Sequence, residues 1–100
     1  MSSRKIDVHP EAIAEARAAA EWYREKSDSA ANAFLAEIDH AVEKISESPG
    51  MWSPYFRGTR RFVLLRFPFC VVYREVFESI QIVAVAHAKR RPGYWKNRVS

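Results

Sequence analysis

The sequence contains one cysteine, three glycines and no apolar run that approaches the length of a membrane-spanning helix. Cys70 has no second cysteine with which to form an internal disulfide, which is typical of a protein from a reducing compartment. A spanning helix requires about 20 apolar residues, and the first residues show no apolar core of a signal peptide. We therefore expect a cytoplasmic protein that has no membrane partner.

Signatures of metal, nucleotide and nucleophile sites are also missing. His9, His40 and His87 are far apart in the sequence, and Cys70 alone cannot build a zinc knuckle. The chain has neither a phosphate-binding P-loop nor a GxGxxG motif. No local signature marks a Ser/His/Asp triad, a question that sequence alone leaves open. We expect no metal and no cofactor.

One sign of charge dominates each part of the chain, whose 100 residues fit a single domain over 1–100. Residues 1–56 carry six Lys and Arg against ten Asp and Glu, whereas residues 57–100 carry ten against two. The net charge is thus −4 in the first part and +8 in the second. A basic region of this kind indicates a nucleic acid or an acidic protein as partner, and a general solubilising charge pattern is the alternative interpretation.

Apolar residues at helical spacing predict two helices in the first part of the chain. The first covers 10–26 and begins at Pro10, whose missing N–H costs nothing in a first turn. Residues 27–29 end it and can cap the second helix, which stops at 48–50. The short turn between them predicts an antiparallel hairpin. The apolar stripe of the second helix consists of Phe34, Ile38, Ala41 or Val42, and Ile45.

Alternating apolar residues predict strands on both sides of the helices. We predict a short strand over 4–8 and an aromatic loop over 51–58. Three strands follow the loop: one that begins at Arg60, one over 69–76 and one over 80–87. The last strand is nearly all apolar, so we expect it at the centre of the sheet. The order β-α-α-β-β-β predicts an α+β fold: an antiparallel helical hairpin packed on a small, mostly antiparallel sheet that also pairs the first strand.

Arginines and aromatic residues are concentrated on the predicted C-terminal strands and on the tail that follows them. Arginine binds phosphate through its forked guanidinium, and aromatic rings stack on unpaired bases. Arg60 and Arg61 point to opposite faces of a strand, so at most one belongs to a given site, and one can pair with a helix carboxylate. The candidate target-binding residues are Arg60, Arg61, Arg66, Arg74, Lys89, Arg90, Arg91, Tyr94, Trp95 and Arg98.

Some of these residues also suit a cleavage of RNA that uses no metal. Such a reaction needs a base for the ribose 2′-hydroxyl, cations for the phosphorane and an acid for the leaving oxygen. His87, Arg90 and Tyr94 are the candidate catalytic residues for these roles. The structural interpretation is that His87 caps the last strand by a hydrogen bond, and that Tyr94 and Trp95 anchor the tail to the helices. The residues alone do not choose between the two interpretations.

Several motifs follow one another in a specific order along nearly the whole chain. They are Trp22-Tyr23, residues 45–49, residues 58–61, the run R-F-P-F-x-V-V-Y at 66–73, V-A-H at 85–87 and R-R-P-G-Y-W at 90–95. Their order and spacing resemble the RelE/ParE superfamily of type II toxins, and above all its ParE-like, plasmid-stabilisation branch. The resemblance implies two helices on an antiparallel sheet. It also implies a bacterial growth-inhibiting toxin that forms a hetero-oligomer with a cognate antitoxin.

The superfamily divides by target, so the resemblance implies two mechanisms. RelE-like members are ribosome-dependent mRNA endonucleases that use basic sheet residues, an arginine near the last strand and a tyrosine near the C-terminus. Arg90 or Arg91 and Tyr94 match the last two positions, but no lysine lies between Lys44 and Lys89, and arginine is a poor proton shuttle.

ParE-like members instead bind DNA gyrase without catalytic residues of their own, and the basic tail over 89–98 corresponds to a region that matters for their toxicity. Because the sheet lysines are missing, we expect inhibition of gyrase rather than cleavage of mRNA on the ribosome. An inactive member that only binds its antitoxin is the third hypothesis.

Overall fold

Two helices pack on one face of a five-stranded sheet in the computed structural model, which describes residues 4–99. This is the predicted α+β fold with one additional strand of two residues inside the stretch predicted as a loop. The elements are β1 (Lys5–Val8), α1 (Pro10–Arg24), α2 (Asp28–Glu47), β2 (Ser53–Pro54), β3 (Arg60–Val63), β4 (Phe69–Val76) and β5 (Ser79–His87). Short 3-10 turns cover Phe56–Gly58 and Lys96–Arg98.

Local capping chemistry sets where both helices begin. The Nδ1 atom of His9 accepts a hydrogen bond from the N–H of Glu11 at 3.1 Å, and Pro10 occupies the first turn of α1. Ser27 Oγ accepts from the N–H of Ala30 at 3.0 Å at the start of α2. The helix bounds therefore agree with the prediction, except that α1 ends at Arg24. Neither helix in the described range is long and apolar enough to cross a membrane.

The strand order in the sheet is β1-β5-β4-β3-β2. β1 runs parallel to β5, and the other neighbours are antiparallel, so the first strand joins the C-terminal sheet as predicted. The prediction that the last strand is a central one is confirmed, because β5 lies between β1 and β4, although β4 is the middle strand of the five. β5 is therefore an inner strand, which accounts for its apolar sequence.

Both faces of β4 and β5 are covered, and this explains why their sequences are continuous apolar runs rather than alternating ones. The helices cover one face, which we call the helix side, and the C-terminal residues 88–99, the tail, cover the other, the tail side. The fully buried residues of the helix-side core include Phe34, Ile45, Tyr73 and Ile80. The tail-side core consists of Val72, Val83, Ala84, Ala86 and Trp95.

The outer edge of β5 is only partly paired within residues 4–99. β1 ends at Val8, opposite Ile82, so residues 83–87 have no strand beside them on that edge. Backbone groups on such an edge require other partners. α1 and the tail supply them, which places a functional candidate, the tail, in direct contact with the first helix.

Candidate functional site

The tail begins with a turn and then places a tryptophan in the core. Trp95 is 1% exposed and packs in one cluster with Val72 and Val83, and its ring centroid lies 5.8 Å from that of Tyr55. The preceding turn has Gly93 at φ +82°, a conformation that residues with a Cβ rarely adopt. Trp95, predicted to bind a target, therefore anchors the tail, and its buried ring is not available to a partner.

A single carboxylate on α1 holds the rest of the tail. Glu15 accepts four hydrogen bonds: from the Tyr94 hydroxyl at 2.7 Å, from Arg98 Nη1 and Nη2 at 3.1 and 2.9 Å, and from the Val85 N–H at 3.0 Å. Arg98 Nη1 also donates to the Val83 carbonyl at 3.1 Å. The side chains of Arg98 and Glu15 are only 14% and 16% exposed. We call Glu15, Tyr94 and Arg98 the tail anchor.

This anchor changes what the Tyr94 hydroxyl can do. Burial raises the pKa of Tyr94 well above its ordinary value, and the hydrogen bond to Glu15 and the charge of that carboxylate raise this pKa further. Arg98 and Arg90 act in the opposite direction but do not offset the rise. The hydroxyl is therefore protonated at neutral pH and committed to Glu15. This suits a structural hydrogen bond and is unfavourable for a group that must exchange a proton in a reaction.

The three candidate catalytic residues line one cleft of about 290 Å³ on the tail side. His87 Nδ1 accepts a hydrogen bond from the Lys89 N–H at 3.0 Å, so the histidine caps the end of β5 in the way the structural interpretation describes. The Arg90 guanidinium carbon lies 3.8 Å from the centroid of the Tyr94 ring. The structure thus brings the three side chains to one cleft. His87 Nδ1 is already bound to the Lys89 N–H, and the Tyr94 hydroxyl is already bound to Glu15.

Arg60 and Arg61 do point to opposite faces of the sheet. Arg60 Nη1 donates to the Trp52 carbonyl at 2.7 Å, whereas Arg61 lies over the ring of Tyr55, with its guanidinium carbon 4.6 Å from the ring centroid. Neither forms an ion pair within the described residues, so the predicted pairing of one of them with a helix carboxylate is wrong. Arg61 alone of the two belongs to the cleft on the tail side.

Two other predicted target-binding arginines are engaged within the protein. Arg66 Nε lies 3.7 Å from a carboxylate oxygen of Glu37 on α2, away from the tail. Arg74 Nε donates to Gln81 at 2.8 Å, and its Nη1 donates to the Val99 carbonyl at 3.3 Å. Arg74 is thus tied to its neighbours in the fold, whereas the side chain of Arg66 remains 69% exposed beside Glu37.

Five solvent-facing cations line two neighbouring clefts on the tail side. Three arginines line the cleft of about 290 Å³, and an arginine and a lysine line a second cleft of about 210 Å³. Pro92 lines both clefts, so the two adjoin. We call this surface the basic face; it consists of Arg57, Arg61, Arg90, Arg91 and Lys96, all exposed.

Two members of the basic face, Arg57 and Lys96, are absent from the predicted target-binding set. Arg57 falls in the stretch predicted as an aromatic loop, and Lys96 follows the aromatic pair of the tail. The sequence marks Arg57 only through the charge density of residues 57–100, whereas Lys96 lies in the basic tail over 89–98 that the resemblance pointed to. It takes the fold to bring the loop and the tail to the same cleft, where Phe56 and Gly93 are their neighbours.

A second surface lies on the helix side, where α1 passes the carboxyl end of β5. It is a mostly apolar groove of about 440 Å³, with Trp22, Phe69 and Val85 among its lining residues. Trp22 is 54% exposed, as expected for one member of an adjoining aromatic pair of which the other, Tyr23, packs on the core. We call this surface the helix groove. It runs beside the unpaired edge of β5.

The described residues provide no group of histidine, cysteine and carboxylate side chains that could hold a metal ion. Cys70 is half-buried, and burial raises the pKa of its thiol, an effect that the nearby Arg61 only partly opposes. Its thiol is therefore in the protonated, unreactive form at neutral pH. Cys70 thus packs as a small apolar residue against the tail-side core.

Fold and site together define a small α+β protein whose notable surfaces, a basic face and an apolar groove, are those of a protein that binds other macromolecules. A family model described as the ParE toxin of the type II toxin-antitoxin system, parDE, matches residues 6–92. The chain belongs to this family, and the resemblance read from its motifs is confirmed.

Individual relatives agree with this assignment. Toxin ParE2 of Mycobacterium tuberculosis, in strains CDC 1551 / Oshkosh and ATCC 25618 / H37Rv, is 30% identical over 63 residues, which are 63% of this chain and 60% of the relative. The match thus spans less than two thirds of the length of these relatives. A solved structure described as the chromosomal ParDE TA system from P. aeruginosa shares the fold, with a TM-score of 0.76, 19% identity, and coverage of 87% of this chain and 98% of that one.

Proposed function

We propose that this ParE-family toxin inhibits growth by binding DNA gyrase and that it catalyses no reaction itself. The observation that carries the proposal is the tail anchor. The hydroxyl of Tyr94, the residue that a RelE-type nuclease would use, is bound to Glu15 at 2.7 Å and has a raised pKa. A hydroxyl in this state supports the architecture of the tail and leaves the cleft without a proton-transfer group at that position.

Two other features of the cleft favour the binding of a partner rather than catalysis. Its cations are arginines, which bind anions but do not readily release a proton. His87, the remaining candidate base, uses Nδ1 to accept the Lys89 N–H. A ribosome-dependent mRNA endonuclease is the alternative function, because His87, Arg90 and Tyr94 do line a single cleft.

A cognate antitoxin is the second partner that we propose, and the helix groove is its binding surface. The groove is apolar and displays the half-exposed ring of Trp22. It also adjoins the edge of β5 over 83–87, but Glu15 and Arg98 already bind the Val85 N–H and the Val83 carbonyl there, so an antitoxin segment would bind mainly through the apolar lining of the groove. The basic face adjoins this groove, since Arg90, His87 and Phe69 line both the groove and the larger cleft of the basic face. An antitoxin bound in the groove would therefore also cover part of the surface proposed for the target. Both events would take place in the cytoplasm.

The first test compares two activities of the purified wild-type chain and of Tyr94→Phe. We expect both proteins to inhibit DNA supercoiling by gyrase, within about threefold of each other, and neither to cleave mRNA on translating ribosomes. Cleavage by the wild-type chain that is lost in Tyr94→Phe would establish the nuclease and overturn the proposal. If the folded chain shows neither activity, the hypothesis of an inactive, antitoxin-binding member is favoured. In cells, pulse labelling after induction should show DNA synthesis stopping before protein synthesis.

A further inference from the structure

The basic face has a composition that the rest of the surface does not share. Among residues 4–99, no carboxylate side chain lines either of its two clefts, although each cleft contains two or more cations. By contrast, the helix groove contains Glu15, and a cleft of about 680 Å³ on the outer side of the helices contains Glu21 and Glu25 beside its arginines. Positive charge is therefore not offset within these two clefts, although Arg90 also lines the helix groove that contains Glu15.

The side chains of the basic face are also free to bind a ligand. Within residues 4–99, none of the five forms an ion pair within 4.0 Å or a side-chain hydrogen bond. Arg61 and Arg90 are fixed by stacking on Tyr55 and Tyr94, at 4.6 and 3.8 Å from the ring centroids. Stacking uses the flat face of a guanidinium and leaves its N–H edge available for an anion.

The second cleft is built on an unusual backbone. Arg57 has φ +60°, in the left-handed region that residues with a Cβ seldom adopt, and Gly58 follows at φ +72°. This conformation forms part of the turn that brings Arg57 beside Lys96 of the tail, in a cleft that the half-exposed Phe56 also lines. Strained backbone of this kind is often found where a side chain must be held for binding.

The partner that fits this surface has dense negative charge of one sign. Duplex DNA carries one phosphate charge per roughly 1.7 Å of its axis, whereas protein surfaces normally intersperse both signs. The aromatic rings beside Arg61 and Arg90 are covered by those guanidiniums, so they are not open platforms for unpaired bases. We propose that the basic face binds the phosphate backbone of duplex DNA, and that the protein thereby contacts the DNA that gyrase holds. The second half of this statement rests on the proposed function; the first half does not.

The test is fluorescence anisotropy of a short labelled DNA duplex with the purified chain, titrated over a range of salt concentrations. The test variant is Arg57→Ala/Lys96→Ala. The control is Arg17→Ala/Arg24→Ala, which removes the same charge from the helix side. All four positions are exposed, so both variants are expected to fold, and circular dichroism and urea unfolding verify this.

We expect the wild-type chain to bind with an affinity that falls steeply with salt, because each phosphate contact contributes about 0.9 to the logarithmic slope. The test variant should lose roughly tenfold in affinity at about 50 mM salt, and its slope should fall by about 2. The control variant should retain the slope of the wild-type chain. An equal loss in both variants would overturn the proposal, since it would reflect net charge rather than the basic face.

Three further measurements separate this inference from the proposed function and from the nuclease alternative. DNA binding at the basic face by a chain that does not inhibit gyrase would sink the proposed function and leave the DNA site standing. Salt-sensitive binding to gyrase free of DNA, with no affinity for the duplex, would overturn the DNA site and assign the basic face to an acidic protein surface. Tighter binding of a single-stranded RNA than of the duplex would overturn it in favour of the nuclease alternative.

Discussion

The two faces of the sheet are covered in different ways. On the helix side, α1 and α2 bury large apolar side chains such as Phe34 and Ile45 against β4 and β5. On the tail side, a short segment buries one large ring, that of Trp95, and is otherwise held by the polar tail anchor. Non-directional burial stabilises the first layer, and a few directional contacts position the second.

This difference separates the part that folds the chain from the part that presents its surface. The helix layer can accept many apolar substitutions of similar volume, because burial depends on area and packing. The tail layer depends on Glu15, which accepts a hydrogen bond from the Val85 N–H on the edge of β5. The same carboxylate also binds the side chains of Tyr94 and Arg98. Because the hydrogen bonds of the tail anchor are confined to one place, we expect that a substitution can remove them while the protein stays folded.

The largest effect is expected from breaking the helix side with Phe34→Ala. The ring is fully buried and contacts the rings of Tyr23, Phe67 and Phe69 at centroid distances of 5.1–5.3 Å. Its removal should lower the free energy of unfolding by about 3–5 kcal/mol, and both faces should unfold in one transition. Urea unfolding followed by circular dichroism and by tryptophan fluorescence measures this.

The matched control for that variant is Phe77→Ala, the same change at a ring that is 96% exposed in the β4–β5 turn. Its effect should remain within about 0.5 kcal/mol. If Phe34→Ala costs no more than the control, the helix-side core is not the main source of stability, and the contrast between the two faces fails.

The next largest effect is expected from Glu15→Ala, which breaks the tail anchor. The change leaves the Arg98 guanidinium without its carboxylate and the Val85 N–H without its acceptor. Both groups are largely shielded from solvent, so the free energy of unfolding should fall by about 2–3 kcal/mol. Amide hydrogen exchange should accelerate over residues 88–99 and at Val85, while the amides of β4 remain protected.

Glu21→Ala is the control, because this glutamate lies on the same helix and is exposed. It should change stability by less than about 0.5 kcal/mol and leave tail exchange unaltered. Uniform acceleration of exchange across the sheet in Glu15→Ala would show that the tail is an integral part of the core, and that the two layers are not separable.

The helix side of the sheet could be predicted from the sequence more completely than the tail side. The bounds of β4 agree with the prediction, and β5 begins one residue before it, because apolar runs and turn residues are local signals. The helix starts were predictable for the same reason, from Pro10 and Ser27. The apolar run of β5 indicated a central strand, and β5 does lie between β1 and β4. What the pattern did not predict is the two-residue strand β2, which makes β4 the middle strand.

The site was less predictable because its contacts join distant parts of the chain. Glu15 meets Tyr94 and Arg98 across 79 and 83 positions of sequence, and no periodicity links such residues. Arg57 and Lys96 share a cleft only after the sheet has formed. Sequence reasoning identified a basic, aromatic tail, but it did not separate Trp95, which is buried, from Arg90 and Arg91, which face solvent.

The smallest effect on stability is expected from Tyr94→Phe. This change removes one hydrogen bond of the tail anchor and almost no volume, so it measures a single directional contact on the tail side. The Glu15 carboxylate keeps its bonds from Arg98 and Val85. The loss of a hydrogen bond to a charged acceptor should lower the free energy of unfolding by about 1–2 kcal/mol at pH 7. Urea unfolding of the variant beside the wild-type chain measures the difference.

The pH dependence of that difference tests whether the hydroxyl, rather than the packing of the ring, is responsible. Because the pKa of Tyr94 is raised in the folded state, its hydroxyl ionises first in the unfolded chain. Its contribution is fully present below the ordinary pKa of 10.0 and is lost as the pH rises above that value. The stability gap between wild type and Tyr94→Phe should therefore be constant from pH 7 to pH 9 and narrow above about pH 10.

Burial also raises the pKa of Tyr73, to about 12, but that residue is present in both proteins, so its effect cancels in the difference. A gap that stays constant up to pH 11 would mean that the Tyr94 hydroxyl does not contribute, and that the tail is held by Arg98 and Trp95 alone.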